Sequence, residues 1–173
     1  MNTYIALFRG INVGGRNKVV MKDLVSSMHK NGFEDVRTYI QSGNVVFKGA
    51  NKSESEISSL VETNFGFKPE VLVLTLTDLE RAIENNPFSE AEGKACHFYF
   101  CNQEIKLSDF EKLDALKLAS EEYVIKENVF YLHAPDGVGR SKLAAKVESC
   151  IGLPVTARNL NTVLKLQGMV NSN

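Results

Sequence analysis

One order of segments occurs twice in this chain. Residues 1–76 read strand, helix, strand, strand, helix, strand, and the same order restarts at about residue 95 and runs to about 157. Few folds accept such a pattern. Split β-α-β-β-α-β units form antiparallel four-stranded sheets with both helices on one face, as in ferredoxin-like domains. The expected architecture is therefore α+β: two tandem ferredoxin-like subdomains, 1–76 and 95–173, with a connecting helix and linker over 77–94 and a C-terminal helix. The repeat is one of element order, with little residue identity between the halves.

The individual segments carry this reading. Thr3–Arg9 is a short apolar run closed by Gly10, and Met21–Lys30 has Met21, Leu24, Val25 and Met28 at helical spacing before Asn31-Gly32. Asp35–Gln41 alternates, with Val36, Thr38 and Ile40 on one face, and Ser42-Gly43 is a hairpin turn pair leading into Asn44–Lys48. Residues 53–64 form a helix with Ser53 and Glu56 as a capping box, and Pro69–Thr75 is the fourth strand. Thr77, with Glu80, caps a connecting helix to Asn85. In the second half, 95–101 is a strand and Leu107–Leu118 a helix capped by Ser108. Glu122–Lys126 and Val129–His133 are strands joined at Glu127-Asn128. A helix over Ser141–Ile151, a strand over Pro154–Ala157 and a helix over Asn159–Val170 follow. Each half is small, and several strands (TYIALF, VLVL, HFYF) are apolar on both faces. The sheet face that the helices leave open must therefore meet something, with the other half the nearest candidate.

Charge is distributed unevenly. The net charge is −1, which excludes a surface that wraps nucleic acid on all sides. It averages a net of +4 over residues 1–48, +1 over 49–53 from Lys52, −9 over 54–122 and +3 over 123–173. The 3 cysteines show no metal or redox spacing. Cys96 and Cys101 lie on opposite faces of one strand, so reduced, buried thiols and a cytoplasmic location are expected. The N-terminus lacks the features of a signal peptide, and no apolar run approaches a membrane span, so no membrane association is expected. His29, His97 and His133 form no ligand pair, so neither a metal nor a cofactor is expected.

Four segments hold the candidate site residues. Residues 10–18, GINVGGRNK, are a near miss to the P-loop, with Arg16 and Asn17 where a lysine and a hydroxyl belong. Two readings of its glycines stand: a tight strand-to-helix turn, or backbone N–H groups open to an anion beside Arg16 and Lys18. The first and second strands of such a sheet run the same way. That topology brings Arg9, Asn12, Arg16 and Lys18 to one edge with Gln41, Ser42 and Asn44. In the third segment, 136–142, Gly137-Val138-Gly139 precedes a helix with Arg140, Ser141 and Lys142 in its first turn. The fourth has Asn159 as a helix cap, which leaves Arg158 without an explanation. No nucleophile elbow and no paired carboxylates occur, and Asn44–Lys48 does not match the aromatic pattern of an RNA-recognition motif.

The segments YIALFRGINVGGRNKVVM, VRTYIQSGNVVF, GRSKL and TARNLNTVLKL resemble those of an uncharacterised bacterial family, the domain of unknown function DUF 1697. The resemblance runs from Tyr4 to about Leu166, with almost nothing contributed by 77–133. It implies tandem ferredoxin-like subdomains and brings no activity, cofactor or catalytic residue. Leu160 stands where members often carry Trp.

The expected function is a binding module for a phosphate-bearing ligand, a nucleotide or a nucleic-acid backbone. Its binding residues would be Arg9, Asn12, Arg16, Lys18, Gln41, Asn44, Arg140, Lys142 and Arg158. Arginine suits bidentate phosphate binding, and amides fix orientation. The alternatives are an enzyme acting on a small anionic substrate, for which no general base presents itself, and a protein that docks an acidic partner surface. No catalytic residue and no particular protein partner is assigned.

Overall fold

A computed structural model describes residues 1–51 and 53–172, so that Lys52 and Asn173 lie outside the described residues. The described residues form eight strands and six helices, with the strands in two four-stranded antiparallel sheets. No helix among them is long and apolar enough to cross a membrane. The chain divides into two compact units. The first is Met1–Glu80 together with Lys165–Asn173, and the second is Arg81–Leu164. The C-terminal segment thus counts with the first unit, whereas element order alone attached it to the second.

In the first unit, β1 (Asn2–Arg9), α1 (Met21–Lys30), β2 (Glu34–Tyr39), β3 (Asn44–Gly49), α2 (Glu54–Phe65) and β4 (Glu70–Thr75) follow one another. The sheet order is β2-β3-β1-β4. Strand side chains alternate between faces. Tyr4, Ala6 and Phe8 of β1 join Val45, Phe47 and Val73 in a core with Met21, Leu24 and Met28 of α1 and Ile57, Leu60 and Val61 of α2. On the opposite face, Ile5, Leu7, Val46 and Leu74 are also buried. That is why these strands read as continuous apolar runs.

In the second unit, β5 (Cys96–Phe100), α4 (Glu111–Leu116), β6 (Glu122–Lys126), β7 (Val129–His133), α5 (Lys142–Ile151) and β8 (Thr156–Asn159) give the order β6-β7-β5-β8. Tyr99, Cys101, Phe130 and Leu132 form its core with Leu113 of α4 and Leu143 and Val147 of α5. Cys96 belongs to the other face, as the odd spacing from Cys101 requires. Two helices run across the division of the chain: α3 (Leu76–Glu84) and α6 (Leu160–Asn171).

Several local expectations need correction. The β2–β3 turn spans four residues, 40–43, rather than a Ser42-Gly43 pair. Ile40 leaves the strand at φ +51° and is 52% exposed, so it does not share a face with Val36. A register shift at Asp35 (φ +54°) has already broken the alternation of β2. Ser53 does not cap α2; its hydroxyl turns back to Asn51. The box that opens α3 is Thr75 with Asp78, each side chain accepting the other's backbone N–H, rather than Thr77 with Glu80. Asp109, not Ser108, accepts the N–H of Glu111, and α4 is half its expected length. Strand β8 starts two residues late, whereas Asn159 caps α6 as expected by accepting the N–H of Thr162.

Candidate functional site

The β1–α1 loop folds on itself. Asn12 N–H donates to the Asn17 carbonyl at 3.0 Å, and Arg16 N–H to the Val13 carbonyl at 3.0 Å, making a miniature hairpin. Gly10, Asn12, Gly14, Gly15 and Asn17 all have positive φ, which glycine tolerates and asparagine accepts better than other side chains. Asn17 Nδ2 ties the hairpin to the Gly10 carbonyl at 3.1 Å. The glycine pattern that resembles a P-loop therefore builds a self-bonded hairpin.

Asn12 joins this loop to the next. Its Nδ2 donates to the Val19 carbonyl at 3.0 Å and the Gln41 carbonyl at 2.8 Å, and its Oδ1 accepts the Val19 N–H at 2.8 Å. Its two amide hydrogens are thereby used inside the protein. The bond to Gln41 draws the β2–β3 turn against the β1–α1 loop, at the shared sheet edge that topology predicts. Gly43 completes the fit: Phe8 N–H donates to its carbonyl at 2.8 Å, and a Cβ on Gly43 would lie 2.6 Å from Phe8 Cβ.

Between the two loops lies an open cleft of about 640 Å³, lined by Asn12, Gly15, Lys18, Val19, Val20, Met21, Lys22 and Gln41. It collects three of the six binding residues expected at this edge: Asn12, Lys18 and Gln41. Lys22 also lines it, and sequence reading missed it because it falls inside α1. Its position in the first turn of a helix that follows a basic loop was the available signal. Helix α1 starts at the cleft without a side-chain cap on Val20, whose backbone carbonyl accepts the N–H groups of Asp23 at 2.9 Å and Leu24 at 3.1 Å. Lys18 and Lys22 supply positive charge there, and among the described residues no acidic side chain lines the cleft.

The other three expected binding residues, Arg9, Arg16 and Asn44, do not line the cleft. Arg9 pairs with Glu70, its neighbour across β1–β4, at 3.3 Å. Arg16 is exposed in the turn of the small hairpin. Asn44 is fully buried, with Nδ2 donating to the Tyr39 carbonyl and the Ser42 hydroxyl, both at 3.0 Å.

In the second unit, Arg140 precedes α5 rather than lying in its first turn, Ser141 is the N-cap, and Lys142 is the first helical residue. The Ser141 hydroxyl accepts the Ala144 N–H at 3.0 Å, so one of the helix's free donors is satisfied from within. Arg140 and Lys142 are exposed. Arg158 sits in β8 opposite Phe98 and donates to the Ala157 carbonyl at 2.8 Å. Burial draws its pKa down to about 10. A concavity of about 360 Å³ beside the end of α5 is lined by Gln103, Glu104, Lys106, Ile151 and Leu153, and by none of these three residues.

Residues 1–131 match a family described as a protein of unknown function, DUF1697. The match takes in both loops of the cleft and the segment 77–133 almost to its end; GRSKL and TARNLNTVLKL lie beyond it. The chain is similar to a solved structure of a conserved bacterial protein from Streptococcus pneumoniae, at 27% identity and a TM-score of 0.69. The likeness covers 97% of this chain and 98% of that one. No curated protein matches.

Proposed function

The chain belongs to the DUF1697 family, and for it we propose a binding function: the cleft of the first unit recognises a phosphate group carried by a nucleotide or a nucleic-acid backbone. The observation behind this reading is that Lys18, Lys22 and Gln41 line one cleft at the uncapped start of α1. Ammonium groups supply charge, Gln41 supplies an amide, and the first N–H groups of a helix favour an anion. The volume, about 640 Å³, is of the order that small ligands occupy. Arg16, at the hairpin tip, is a further cation for a ligand that extends outward. Arg140, Lys142 and Arg158 belong to the second unit, and we propose them as a separate basic surface for a longer anionic ligand.

The test is a titration of the full chain with inorganic phosphate, AMP and a short single-stranded oligonucleotide, followed by amide chemical shifts. Shifts are expected at Gly15, Lys18, Lys22 and Gln41, and the K18A/K22A variant should bind roughly tenfold or more weakly. Binding should weaken as salt rises. Equal affinity in parent and variant would refute the reading.

A second reading rests on a separate observation. Val13, Val20 and Ile40 are 63%, 59% and 52% exposed, and all three lie on the loops around the cleft. Aliphatic tips among lysines suit an acidic protein surface. Replacing Val13 and Ile40, which do not line the cleft, by serine should leave phosphate binding intact and impair only such a partner.

We propose further that each unit is a ferredoxin-like subdomain, supported by the strand orders β2-β3-β1-β4 and β6-β7-β5-β8. A cytoplasmic location is proposed on the basis of three free thiols, two of them buried.

A further inference from the structure

Arg37 lies in β2, where alternation points it away from the core that holds Val36. Its Nη1 donates to the Met169 carbonyl at 2.9 Å. Met169 is in the last turn of α6, and its carbonyl also accepts the Ser172 hydroxyl at 3.1 Å, so the Arg37 bond adds to the capping of this end and sets a cation at the helix's negative pole. The rest of the guanidinium is not accounted for. Nε and Nη2 are both buried, and neither has a hydrogen-bond partner among the described residues.

Those two atoms form one edge of the guanidinium, the edge that receives two oxygens of a carboxylate or a phosphate in parallel. Two buried guanidinium donors left without acceptors are costly, and an anion that offers two oxygens satisfies both at once. The nearest acid in sequence is engaged elsewhere: Asp35 faces Lys48 at 2.9 Å. Lys48 holds that carboxyl below its usual range, with Arg37 a lesser influence. The neighbourhood instead gains a second cation. Lys165 of α6 places its Nζ 5.9 Å from the ring centre of Tyr39, two residues along β2 on the same face as Arg37. Two cations and an unfilled two-donor edge thus lie together beneath α6.

We propose that the Nε–Nη2 edge of Arg37, under the last turn of α6, binds a small oxyanion: a carboxylate or a phosphate group taken through two oxygens. Access is by lifting of that last turn. Helix ends open at little free-energy cost, and Gly168 weakens this one. The site shares no residue with the cleft of the first unit and stands or falls separately from it.

The Nε–Hε groups of the full chain, observed by proton–nitrogen correlation, test this site directly. Sodium phosphate and sodium acetate are titrated separately, at ionic strength held constant with chloride. The Arg37 signal, identified by its loss in R37K, should move downfield and exchange more slowly with water, while the other arginine signals stay in place. The parent's melting temperature should rise by several degrees at saturating anion. R37K keeps a donor for Met169 but loses the edge, so it should retain the helix and lose the response; R37M should lose the response as well. A response to phosphate alone or acetate alone identifies the group preferred, and a response to both supports an unselective site. An unmoved Arg37 signal in both titrations, or a response in R37K equal to the parent's, would overturn the proposal.

Discussion

Replacing Asn12 by alanine should unfasten the edge of the first unit. Three hydrogen bonds with backbone groups disappear, two with Val19 and one to the carbonyl of Gln41, along with a weak contact to Met21 Sδ at 3.9 Å. Val19 is 2% exposed, so its N–H and carbonyl stay largely hidden from water, each at a net loss of about 1 kcal/mol. Gln41 is exposed, and its carbonyl rehydrates at a loss of about 0.5 kcal/mol. Asn12 also sits at φ +54°, where alanine is less favourable by a further ~0.5–1 kcal/mol. The expected destabilisation is about 3 kcal/mol. Asn12→Gly removes the backbone contribution alone and should be milder by that amount. Asn12→Asp keeps the acceptor for Val19 N–H but turns a carboxylate toward two carbonyl oxygens, and should be no better than alanine. Urea unfolding followed by far-UV circular dichroism gives the differences, with amide exchange at Val19 and Gln41 as the local readout. An alanine variant within ~0.5 kcal/mol of the parent, or one with unchanged exchange at both residues, would show that these bonds do not hold the loops together.

Other consequences can be measured on the same protein. Gly43→Ala should destabilise by about 2–4 kcal/mol in the same unfolding assay, because it combines a positive φ of 87° with a Cβ pressed 2.6 Å from Phe8 Cβ. Tyr131→Phe should lose about 1–2 kcal/mol, since the buried hydroxyl donates to the Ala82 carbonyl at 2.6 Å and its removal leaves that acceptor unpaired. Burial pushes the Cys96 and Cys101 thiols up to about 11 and the Tyr99 phenol to about 12. The unfolded chain releases its thiol protons near the ordinary thiol value while the folded chain still holds them, so stability should fall as pH rises from about 9 to about 11. Native protein at mildly alkaline pH should accordingly titrate with a thiol reagent at Cys150, the half-buried cysteine, well before Cys96 and Cys101.

Much of the fold was legible because the signals were local. Helix α1 and strands β6 and β7 fall where periodicity placed them, bounded by Asn31-Gly32 and Glu127-Asn128. The caps failed for a definite reason. Ser53 and Thr77 have the right residue types at the right spacing, but a cap requires the preceding backbone to turn at that residue. At α3 the turn comes two residues earlier, where Thr75 and Asp78 bond reciprocally. Ile40 looked like the third apolar member of a strand face. The bulge at Asp35 and the four-residue turn move it out to solvent, and both depend on strand pairing that no short window of sequence contains. At the edge of the first unit, the expected neighbourhood of Asn12, Lys18 and Gln41 followed from strand direction. Their division of labour did not: Asn12 fastens loops, Arg9 pairs with Glu70, and Asn44 is buried in a turn. Arg37 went unmarked because its partner lies 132 residues further along the chain.

That separation sets an order of events during synthesis. Translation runs from the N-terminus, so the strands of the first sheet leave the ribosome early, while the segment from Lys165 onward emerges only after Arg81–Leu164 has been made. Until then the nascent first sheet must persist with the Arg37 side of β2 uncovered. Ribosome-bound chains stopped before Lys165 should therefore show an Arg37 side chain open to solvent. Closing a loop of 132 residues is an entropic step that follows local folding. For this protein, docking of the last turns of α6 on β2 can follow only after the whole of Arg81–Leu164 has been made.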